Sequence, residues 1–467
     1  MKFALKTLFL LLLAMSLIAL SVACLDDDDD DDDDNDDNDD NDTSDNDTGD
    51  DDISDDDISD DDISDDDITD DDTTPADDDT TPADDDTTPV DDDTTPVDDD
   101  TTPVDDDTTP VDDDTTPAEA EWTFVVYMAA DNNLYSYGQD DLNEMKTVGS
   151  TADVNILVVY DGTTNGDSRL YKVEQGSLTT LASPGELNMG DGQTVRDHVT
   201  TLFNDYPAER YALVFWNHGS GWHEEDAPPV YKSICQDGSD WLENDELDSA
   251  IAYVRSNTGA STIDLIGFDA CLMQMIEIAY YLKDDGTVMV GSEETEGGDG
   301  WEYNVFLAQL VSQPTMAATI LGEKIVDSFV AQPDATLSVL KLNQMNALAS
   351  AVDALADELN AVGGISNGQV EDALYDTLYF ADWDYIDLSD FANEILDENI
   401  SAAINTAATG VKNAVSSAVH YYAYGYGGYS YARGVSIYFP DPTWSTFDSD
   451  YLDLAFAADT DWDDVIH

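Results

Sequence analysis

Basic residues are scarce in this sequence. Lys and Arg number 14 against 107 Asp and Glu, which leaves a formal net charge of -93. A surface with this balance repels nucleic acid and anionic membranes, so we expect no nucleic-acid partner, and it attracts cationic ligands or basic polypeptides. Adaptation to high salt would produce the same surplus of acidic residues. The charge therefore limits the partners and leaves the fold open.

Cysteines are also few, and they lack the spacing of a zinc site. The three are Cys24, Cys235 and Cys271. Without a Cys-x-x-Cys motif or a cluster of cysteine and histidine, a structural zinc site is not expected. In an exported protein, Cys235 and Cys271 could form a disulfide, and this pairing is the alternative to a functional thiol.

A single long apolar run stands near the N-terminus, at residues 8–22, and Lys2 and Lys6 precede it. The run is too short, and too soon followed by charge, for a membrane span, so it predicts a secretion signal over residues 1–24. Its end resembles a bacterial lipoprotein signal, in which Cys24 is lipidated. We expect a cell-envelope lipoprotein that is held to a membrane by this lipid anchor, with simple secretion to the exterior as the alternative.

Residues 25–118 have a composition that cannot form a hydrophobic core. They pass from an Asp/Asn tract to seven copies of Asp-Asp-Asp-Thr-Thr-Pro-Ala/Val over residues 70–118. Self-repulsion and the stiffness of Pro favour an extended chain, and no apolar cluster offsets the entropy of ordering it. We predict a disordered, Asp-rich stalk that spaces the rest of the chain from a membrane or cell wall. It contains no Asp-x-Asp-x-Asp-Gly loop, so its carboxylates would hold calcium only diffusely.

From residue 119 onward, short apolar runs alternate with helical patterns. Buried strands that alternate with helices indicate an α/β fold with a mostly parallel sheet covered on both faces. A largely helical C-terminal part follows, so we divide the chain into a first domain at 119–312 and a part at 313–467 that completes it. The predicted strands are 122–128, 154–160, 211–216, 263–268, 287–291 and 434–439, and the predicted helices are 137–148, 194–203, 244–256 and 271–283.

Two of the predicted strands end in residues that can carry out chemistry. One leads into His218 and the Gly-rich turn at Gly219, and the other leads into Cys271. Functional residues of such sheets collect at the carboxyl ends of strands. A helix that starts directly after Cys271 would bring its positive end near the sulfur and favour the thiolate. A thiolate nucleophile with His218 as general base is the minimum for acyl transfer, and the Gly219 amide would face the oxyanion.

Each of these residues also has an ordinary explanation. A buried Cys is commonly a small core residue, and a His after a strand commonly belongs to a turn. The two residues together, at matching ends of two buried strands in an exported chain, favour the catalytic interpretation.

Four ordered strings around these positions resemble the clostripain family, peptidase family C11, within the caspase/gingipain/legumain clan. They are Tyr-Met-Ala-Ala-Asp-Asn-Asn-Leu at 127–134, Trp-Asn-His-Gly-Ser-Gly-Trp at 216–222, Asp-Ala-Cys-Leu-Met-Gln-Met-Ile-Glu at 269–277, and Ser-Glu-Glu-Thr-Glu-Gly-Gly-Asp-Gly-Trp-Glu-Tyr at 292–303. The resemblance covers residues 122–310 strongly and the remainder loosely. It implies a caspase-like fold and a thiol protease in which Cys271 is the nucleophile, His218 protonates the leaving amine and Gly219 supplies an oxyanion amide.

The resemblance also implies a substrate. Members of the family cleave after Arg or Lys, and such a side chain in a closed S1 pocket needs a carboxylate partner. By position, Asp269 matches one pocket carboxylate and Asp299 the other. A helix cap at Asp269 and a turn role for Asp299 are the alternatives. The calcium dependence of the family implies a bound ion, but the sequence does not isolate its ligands.

Two further segments carry expectations. Asp131, Asn132 and Asn133 come directly after the first strand, where a turn and cap role is favoured over substrate contact. Self-cleavage between the His and the Cys is a habit of the family. We predict cleavage after Lys232, which follows two prolines in an expected exposed loop, rather than after Arg255, which lies in a helical pattern.

Three other functions fit the sequence less well. A Gly-x-Ser-x-Gly pattern surrounds Ser366, but the residues before it predict a helix, whereas the nucleophile elbow of a serine hydrolase requires a strand. No His-Glu-x-x-His motif supports a zinc peptidase. The remaining alternative is an inactive surface adhesin or binding lipoprotein, and the presence of both Cys271 and His218 argues against it.

Overall fold

The computed structural model describes residues 119–222 and 233–467. The predicted signal, the predicted stalk, the lipidation site Cys24 and the self-cleavage site Lys232 lie outside these residues. Among the residues described, no helix is both long enough and apolar enough to cross a membrane.

The strands form where Val, Ile and aromatic residues cluster, because β-branched and aromatic side chains fit a pleated, buried surface. Each of the five apolar runs predicted as strands before residue 292 is a strand. The described strands are β1 (Ala120–Ala130), β2 (Val154–Gly162), β3 (Ser168–Glu174), β4 (Ser177–Gly185), β5 (Ala208–Trp216), β6 (Ile234–Asp237), β7 (Asp240–Leu242), β8 (Ile263–Asp269), β9 (Gly286–Gly291), β10 (Thr336–Lys341), β11 (Tyr385–Asp387), β12 (Val419–Tyr424) and β13 (Ser436–Tyr438).

One large sheet dominates the described part of the chain, with nine strands in the order β12-β10-β9-β8-β5-β1-β2-β3-β4. The centre is parallel: β1 pairs with β2 and β5, β5 with β8, and β8 with β9. The outer strands β3, β4, β10 and β12 are antiparallel additions. Register pairs Met128 with Trp216, and Trp216 with Asp269. The carboxyl ends of β1, β5 and β8 therefore meet at one edge of the sheet.

Helices cover both faces of this sheet, as predicted. They are α1 (Tyr135–Val148), α2 (Gly192–Asp205), α3 (Asn244–Asn257), α4 (Ile276–Tyr281), α5 (Tyr303–Ser312), α6 (Ala318–Phe329), α7 (Met345–Asn360), α8 (Gly368–Asp376), α9 (Leu388–Glu398), α10 (Ala402–Ala418), α11 (Ala455–Ala458) and α12 (Trp462–Ile466). Alternation along β1 sends Val125 and Tyr127 into one core and Phe124 and Val126 into the other. The caspase-like α/β fold, with a mostly parallel sheet flanked by helices, is thereby confirmed.

The C-terminal part is largely helical, and it also extends the sheet. β10 pairs antiparallel with β9, and β12 pairs with β10. The strand predicted at 434–439 forms β13, which pairs with β11 in a small separate sheet. The division into domains at residue 312 stays a prediction.

The start predicted for the helix at 271–283 is wrong. Leu272 has a φ of 64°, and helix α4 begins only at Ile276. The backbone between them pairs with a neighbouring segment, since the Leu272 amide donates to the Glu294 carbonyl at 3.1 Å. These tertiary hydrogen bonds override the helical preference of the side chains. The positive end of a helix is therefore not placed directly after Cys271.

Candidate active site

The ends of β5 and β8 form one wall of a cleft. Trp216, the last residue of β5, pairs with Asp269, the last residue of β8, so the chain leaves both strands side by side. His218 and Cys271 follow these ends and both line the cleft. The parallel register thus brings together two residues that lie far apart in the sequence.

His218 is held by a polar side chain in a buried setting. Only 3% of its surface is exposed. Its Nε2 atom donates a hydrogen bond to Asn133 Oδ1 at 2.7 Å. Burial lowers the pKa of His218 to about 4, because loss of water penalises the charged ring. The ring is therefore neutral at physiological pH, with the proton on Nε2 and a lone pair on Nδ1 that can accept a proton.

The loop after β1 supplies this partner of the histidine. Asn132 has the turn role predicted for it, since its side chain accepts from the Leu134 amide at 2.9 Å and donates to the Ala129 carbonyl at 3.3 Å. The next residue, Asn133, reaches His218 instead. Sequence reasoning missed this contact. The available signal was the placement of three polar residues directly after the strand that neighbours β5.

Asn217 fastens the histidine to the same loop. Its Nδ2 atom donates to the Ala129 carbonyl at the end of β1 and, at 3.2 Å, to the Gln236 carbonyl of β6. Its Oδ1 atom accepts from the amide of His218. The Gln236 carbonyl also accepts from the Asn132 side chain at 3.3 Å. These shared acceptors tie the ends of β1, β5 and β6 into one polar scaffold around the ring.

Cys271 lies beside the segment that follows β9. The backbone amide of Glu296 donates to its Sγ atom at 3.3 Å. A donor aimed at the sulfur stabilises the thiolate over the thiol. The Glu296 amide, rather than a helix terminus, is therefore the positive end of a dipole that faces the Cys271 sulfur.

Gly219 packs directly against the backbone of Cys271. A Cβ atom at position 219 would lie 2.5 Å from the Cys271 carbonyl oxygen, closer than such atoms approach. Only glycine allows the two strand ends to come this near. An isolated bridge pairs Gly219 with Ile234, and its hydrogen bond comes from the next amide, that of Ser220, which donates to the Ser233 carbonyl at 3.0 Å.

Asp269 lines the cleft two residues before Cys271 and is buried. Its Oδ2 atom accepts from the Tyr303 hydroxyl at 2.9 Å and from the Trp301 amide at 3.4 Å. Burial raises the pKa of Asp269 to about 6, and hydrogen bonds from Tyr303 and Glu296 offset part of this rise. The alternative role as a helix cap is wrong, because no helix begins until Ile276.

A second carboxylate lines the same cleft, and sequence reasoning did not single it out. Glu296 is hydrogen-bonded to Asp269, and its pKa is raised well above the usual range, first by burial and then by the charge of Asp269. Two buried carboxyl groups in contact hold one proton between them, because both cannot ionise at this separation. We call Asp269 and Glu296 the substrate-side pair.

Asp299 has a different position from the one predicted. It is exposed and is not among the residues that line the cleft, although Gly298 and Gly300 on either side of it are. Glu296 is the second carboxylate that lines the cleft. It stands three residues earlier in the same string, which was the signal that could have found it.

Two alternatives drawn from the sequence are wrong. Ser366 lies in a 3-10 turn that follows helix α7, so the strand that a serine nucleophile elbow requires is not there. Cys235 is a free, buried cysteine, so it forms no disulfide with Cys271.

Comparisons with known proteins identify the family of this chain. The sequence model of the Clostripain family, Peptidase_C11, matches residues 126–467. Clostripain from Hathewaya histolytica is 26% identical over 400 residues, which cover 70% of this chain and 76% of that protein.

Solved structures of C11 proteases share the fold. A secreted C11 cysteine protease from Bacteroides thetaiotaomicron, in complex with an irreversible peptide inhibitor, aligns with a TM-score of 0.57 at 25% identity and covers 74% of this chain and 99% of that one. An inactive zymogen C11 protease from Parabacteroides distasonis aligns with a TM-score of 0.57 at 20% identity, over the same shares of the two chains.

Proposed function

Since this chain belongs to the clostripain family and is a cysteine peptidase, we propose that it cleaves polypeptides after Arg or Lys through a dyad of Cys271 and His218. The preference for Arg or Lys is supported by the substrate-side pair. These two buried carboxyl groups lie in the cleft that also holds the nucleophile. The charge of the whole chain supports the same choice, because an acidic surface attracts basic polypeptides.

In each half of the reaction, His218 accepts a proton and later donates it. The neutral His218 ring takes the thiol proton of Cys271, and the thiolate attacks the carbonyl carbon of the scissile bond. The Gly219 amide donates to the oxyanion that forms. The protonated ring then gives its proton to the leaving amine, and a thioester remains. Water hydrolyses the thioester after His218 takes one of its protons, which restores the free enzyme.

Two contacts support these roles. The hydrogen bond from His218 Nε2 to Asn133 leaves Nδ1 as the basic nitrogen of the neutral ring. In the bridge between Gly219 and Ile234 the donor is the amide of Ser220, so that bridge does not use the Gly219 amide.

The substrate-side pair explains why a cation would be selected. A guanidinium or ammonium group that enters the cleft can replace the proton held between Asp269 and Glu296 and meet two negative charges. Charge-assisted hydrogen bonds in a buried site are strong when both partners are present. A neutral side chain of the same shape would leave the carboxylates without a counter-charge, and this penalty gives large discrimination.

Purified full-length protein tests the proposal with fluorogenic peptides that carry Arg, Lys, citrulline or Glu at P1. We expect cleavage of the Arg and Lys peptides, loss of activity with a thiol alkylator, and no activity in Cys271→Ala. The absence of alkylator-sensitive cleavage of every peptide would contradict the proposal and favour the alternative, an inactive surface binding lipoprotein.

Processing of the chain by itself is a second part of the proposal. Lys232 stands between His218 and Cys271 in the sequence, ahead of β6. Cleavage after it would separate the two halves of the dyad into two polypeptides that stay associated through the sheet. Intact-mass analysis of wild type, Cys271→Ala and Lys232→Gln checks this. We expect a cut in the wild type alone, and an uncut, fully active wild type would sink the idea.

The site of action follows from the N-terminus and from relatives. A solved relative is a secreted C11 cysteine protease, which is consistent with an extracellular location for this chain. Lipidation at Cys24 would add attachment to a membrane. Mass spectrometry of the N-terminal peptide from the native host tests it, because an acylated Cys24 supports anchoring, whereas an unmodified N-terminus beyond residue 24 supports simple secretion.

A further inference from the structure

Two carboxyl groups that the proposed mechanism does not use are buried in contact with each other outside the cleft. Glu293 follows β9 and Asp387 ends β11, and only 2% and 0% of their surfaces are exposed. Their side chains are hydrogen-bonded to each other. An ionised carboxylate accepts hydrogen bonds but cannot donate one, so this contact requires a proton on one of the two groups. We call Glu293 and Asp387 the bridging pair.

Backbone amides fix both side chains of the bridging pair. The Gly434 amide donates to Glu293 Oε2 at 2.9 Å. The Arg433 amide donates to Asp387 Oδ2, and the Asp390 amide donates to Asp387 Oδ1 at 2.7 Å. Amide donors of this kind stabilise a negative charge in a buried position. The bridging pair therefore suits a state with one charge on Asp387 and one proton on Glu293.

The segment that carries Glu293 also contacts the nucleophile. The Glu294 carbonyl accepts from the amide of Leu272, the residue after Cys271, at 3.1 Å. Two residues further along the chain, the Glu296 amide donates to Cys271 Sγ at 3.3 Å. A displacement of Glu293 would thus move the backbone that holds the sulfur.

The strand that carries Asp387 contacts the turn after the histidine. Tyr385, two residues before Asp387 on β11, donates from its hydroxyl to the Ser220 carbonyl at 2.7 Å. Its ring also lies close to Gly221, where a Cβ atom would be 2.8 Å from a ring carbon. Gly221 has a φ of 75°, so its backbone conformation favours glycine as well. Ser220 is two residues from His218, so β11 supports the turn that follows the general base.

We propose that the bridging pair is a positioning unit for catalysis, and that one shared proton fixes the segment beside Cys271 relative to the turn after His218. Neither Glu293 nor Asp387 lines the cleft, so each acts through its own segment. Loss of the shared proton would leave two like charges in contact at a buried position and push the two segments apart. This inference rests on the proposed dyad of Cys271 and His218, but not on the preference for Arg or Lys.

Charged neighbours set the pH range in which the shared proton is held. Burial raises the pKa of Asp387 to about 6, and the charge of Asp390 on α9 adds to this rise. Burial and the charge of Asp387 raise the pKa of Glu293 well above its usual range. Burial also raises the pKa of Asp390, and the Leu378 amide and the charge of Arg433 offset part of that rise. Between pH 6 and the higher pKa of Glu293, the bridging pair therefore holds one charge and one proton.

Steady-state kinetics of the full-length enzyme test the positioning unit, with the fluorogenic peptide that the wild type cleaves fastest. Glu293→Gln keeps a donor for Asp387 and an acceptor for the Gly434 amide, but it cannot ionise. Glu293→Leu has a similar volume and removes both hydrogen bonds. Glu209→Gln is the matched control for charge, since Glu209 is exposed at the amino end of β5. Titration with an irreversible thiol-directed inhibitor gives kcat per intact active site, so misfolded protein does not enter the result.

We expect Glu293→Leu to lower kcat by about tenfold at pH 7 and to leave KM within about twofold, because the substrate-side pair is untouched. Glu293→Gln should restore kcat to within about twofold of the wild type. As the pH rises and the Glu293 proton leaves, kcat of the wild type should fall by about tenfold per pH unit relative to Glu293→Gln. Glu209→Gln should follow the wild type at every pH.

Two results would overturn the proposal. One is a kcat for folded Glu293→Leu within twofold of the wild type. The other is a ratio of kcat between Glu293→Gln and the wild type that stays constant from about pH 6 to about pH 10. The second comparison decides the matter if Glu293→Leu does not fold. An active Cys271→Ala would contradict the dyad itself, whereas an inactive Cys271→Ala beside unchanged Glu293 variants would contradict the bridging pair alone.

Discussion

Two groups of carboxylates occupy the same edge of the sheet, and their surroundings differ. The substrate-side pair is closed, and Tyr303, Trp301 and the Glu296 proton satisfy Asp269. The second group, the carboxylate triad, consists of Asp131, Asp161 and Glu186. It is partly open, and Asp161 Oδ2 is buried with no hydrogen-bond partner among the described residues. The substrate-side pair shares one proton, so the two buried carboxyl groups are tolerated without a bound cation. In the triad, burial and the charges of neighbouring carboxylates raise the pKa of Asp161 to about 7.

The difference teaches that acidity alone does not define a site. Fewer than half of the acidic residues that the structure describes are exposed, and others, such as Glu277 and Glu293, are buried outside these two groups. What separates the two groups is the contact between their members: Asp269 and Glu296 are hydrogen-bonded to each other, whereas Asp161 accepts from the Ser168 hydroxyl. Each prediction below changes residues of one group or of the loop beside it.

The largest effect is expected from Asp269→Asn. We expect kcat/KM for Arg peptides to fall by about 10²–10³, because removal of one partner from a buried charge pair costs about 3–4 kcal/mol. Steady-state kinetics measure it, with Asp299→Asn as the matched control. The control should stay within twofold, since Asp299 is exposed. An equal loss of kcat/KM in Asp299→Asn would indicate that Asp299, rather than Glu296, is the second S1 carboxylate.

The structure clarifies what the sequence could and could not predict here. Strands β1, β2, β5, β8 and β9 were predictable, because a buried parallel strand must be a continuous apolar run. Cys271 and His218 were predictable for the same reason, since each directly follows such a run. Glu296 and Asn133 were not, because loops after other strands bring Glu296 to the cleft and Asn133 to His218.

The helix start at Cys271 failed for a related reason. The side chains after Cys271 suit a helix, but their backbone pairs with the segment that follows β9, and local propensity carries no information about that partner. Asp299 lies in this same segment after β9, so local patterns could not predict its position either. Local sequence patterns therefore predicted the strands that position the site, whereas contacts between distant segments determine which acidic residues line the cleft.

The pH dependence of activity is expected to follow the substrate-side pair. The pKa of Asp269 is raised to about 6, so a second proton enters the pair below that pH and removes the charge that binds the substrate. We expect kcat/KM for Arg peptides to fall about tenfold per pH unit below pH 6. Burial keeps the pKa of free His218 at about 4, so the ring is not the origin of this inflection. A pH–rate profile in which Asp269→Asn keeps the same inflection would contradict the assignment.

Asn133→Ala tests the hydrogen bond between Asn133 and His218. Loss of the hydrogen bond to His218 Nε2 frees the ring to rotate and to change tautomer. We expect kcat to fall about tenfold with KM within twofold. Asn133→Asp is the companion variant, and its charge should raise the pKa of His218, which NMR titration of the ring measures in the Cys271→Ala background. An unchanged kcat in Asn133→Ala would leave His218 positioned by Asn217 alone.

The smallest effect concerns the pH dependence of stability. The pKa of Asp161 is raised to about 7 in the folded state, above the unfolded value, so its contribution to stability is full below pH 4 and is lost as the pH rises through 7. At pH 8, Asp161→Asn in the Cys271→Ala background should therefore be more stable than Cys271→Ala itself by about 1–2 kcal/mol. Glu296→Gln should change stability by less than about 0.5 kcal/mol, because Glu296 already holds a proton. Urea unfolding in the Cys271→Ala background measures both, and a destabilised Asp161→Asn would argue against repulsion in the triad.

The central claim is that the substrate-side pair selects substrates by charge. The most direct measurement is the ratio of kcat/KM for an Arg peptide to that for the matching citrulline peptide, which has nearly the same shape and no charge. We predict a ratio of about 10³ for the wild type and below about 10 for the double variant Asp269→Asn/Glu296→Gln, measured at pH 7.5. A double variant that keeps the wild-type ratio, or a wild type that cleaves both peptides equally, would contradict the account.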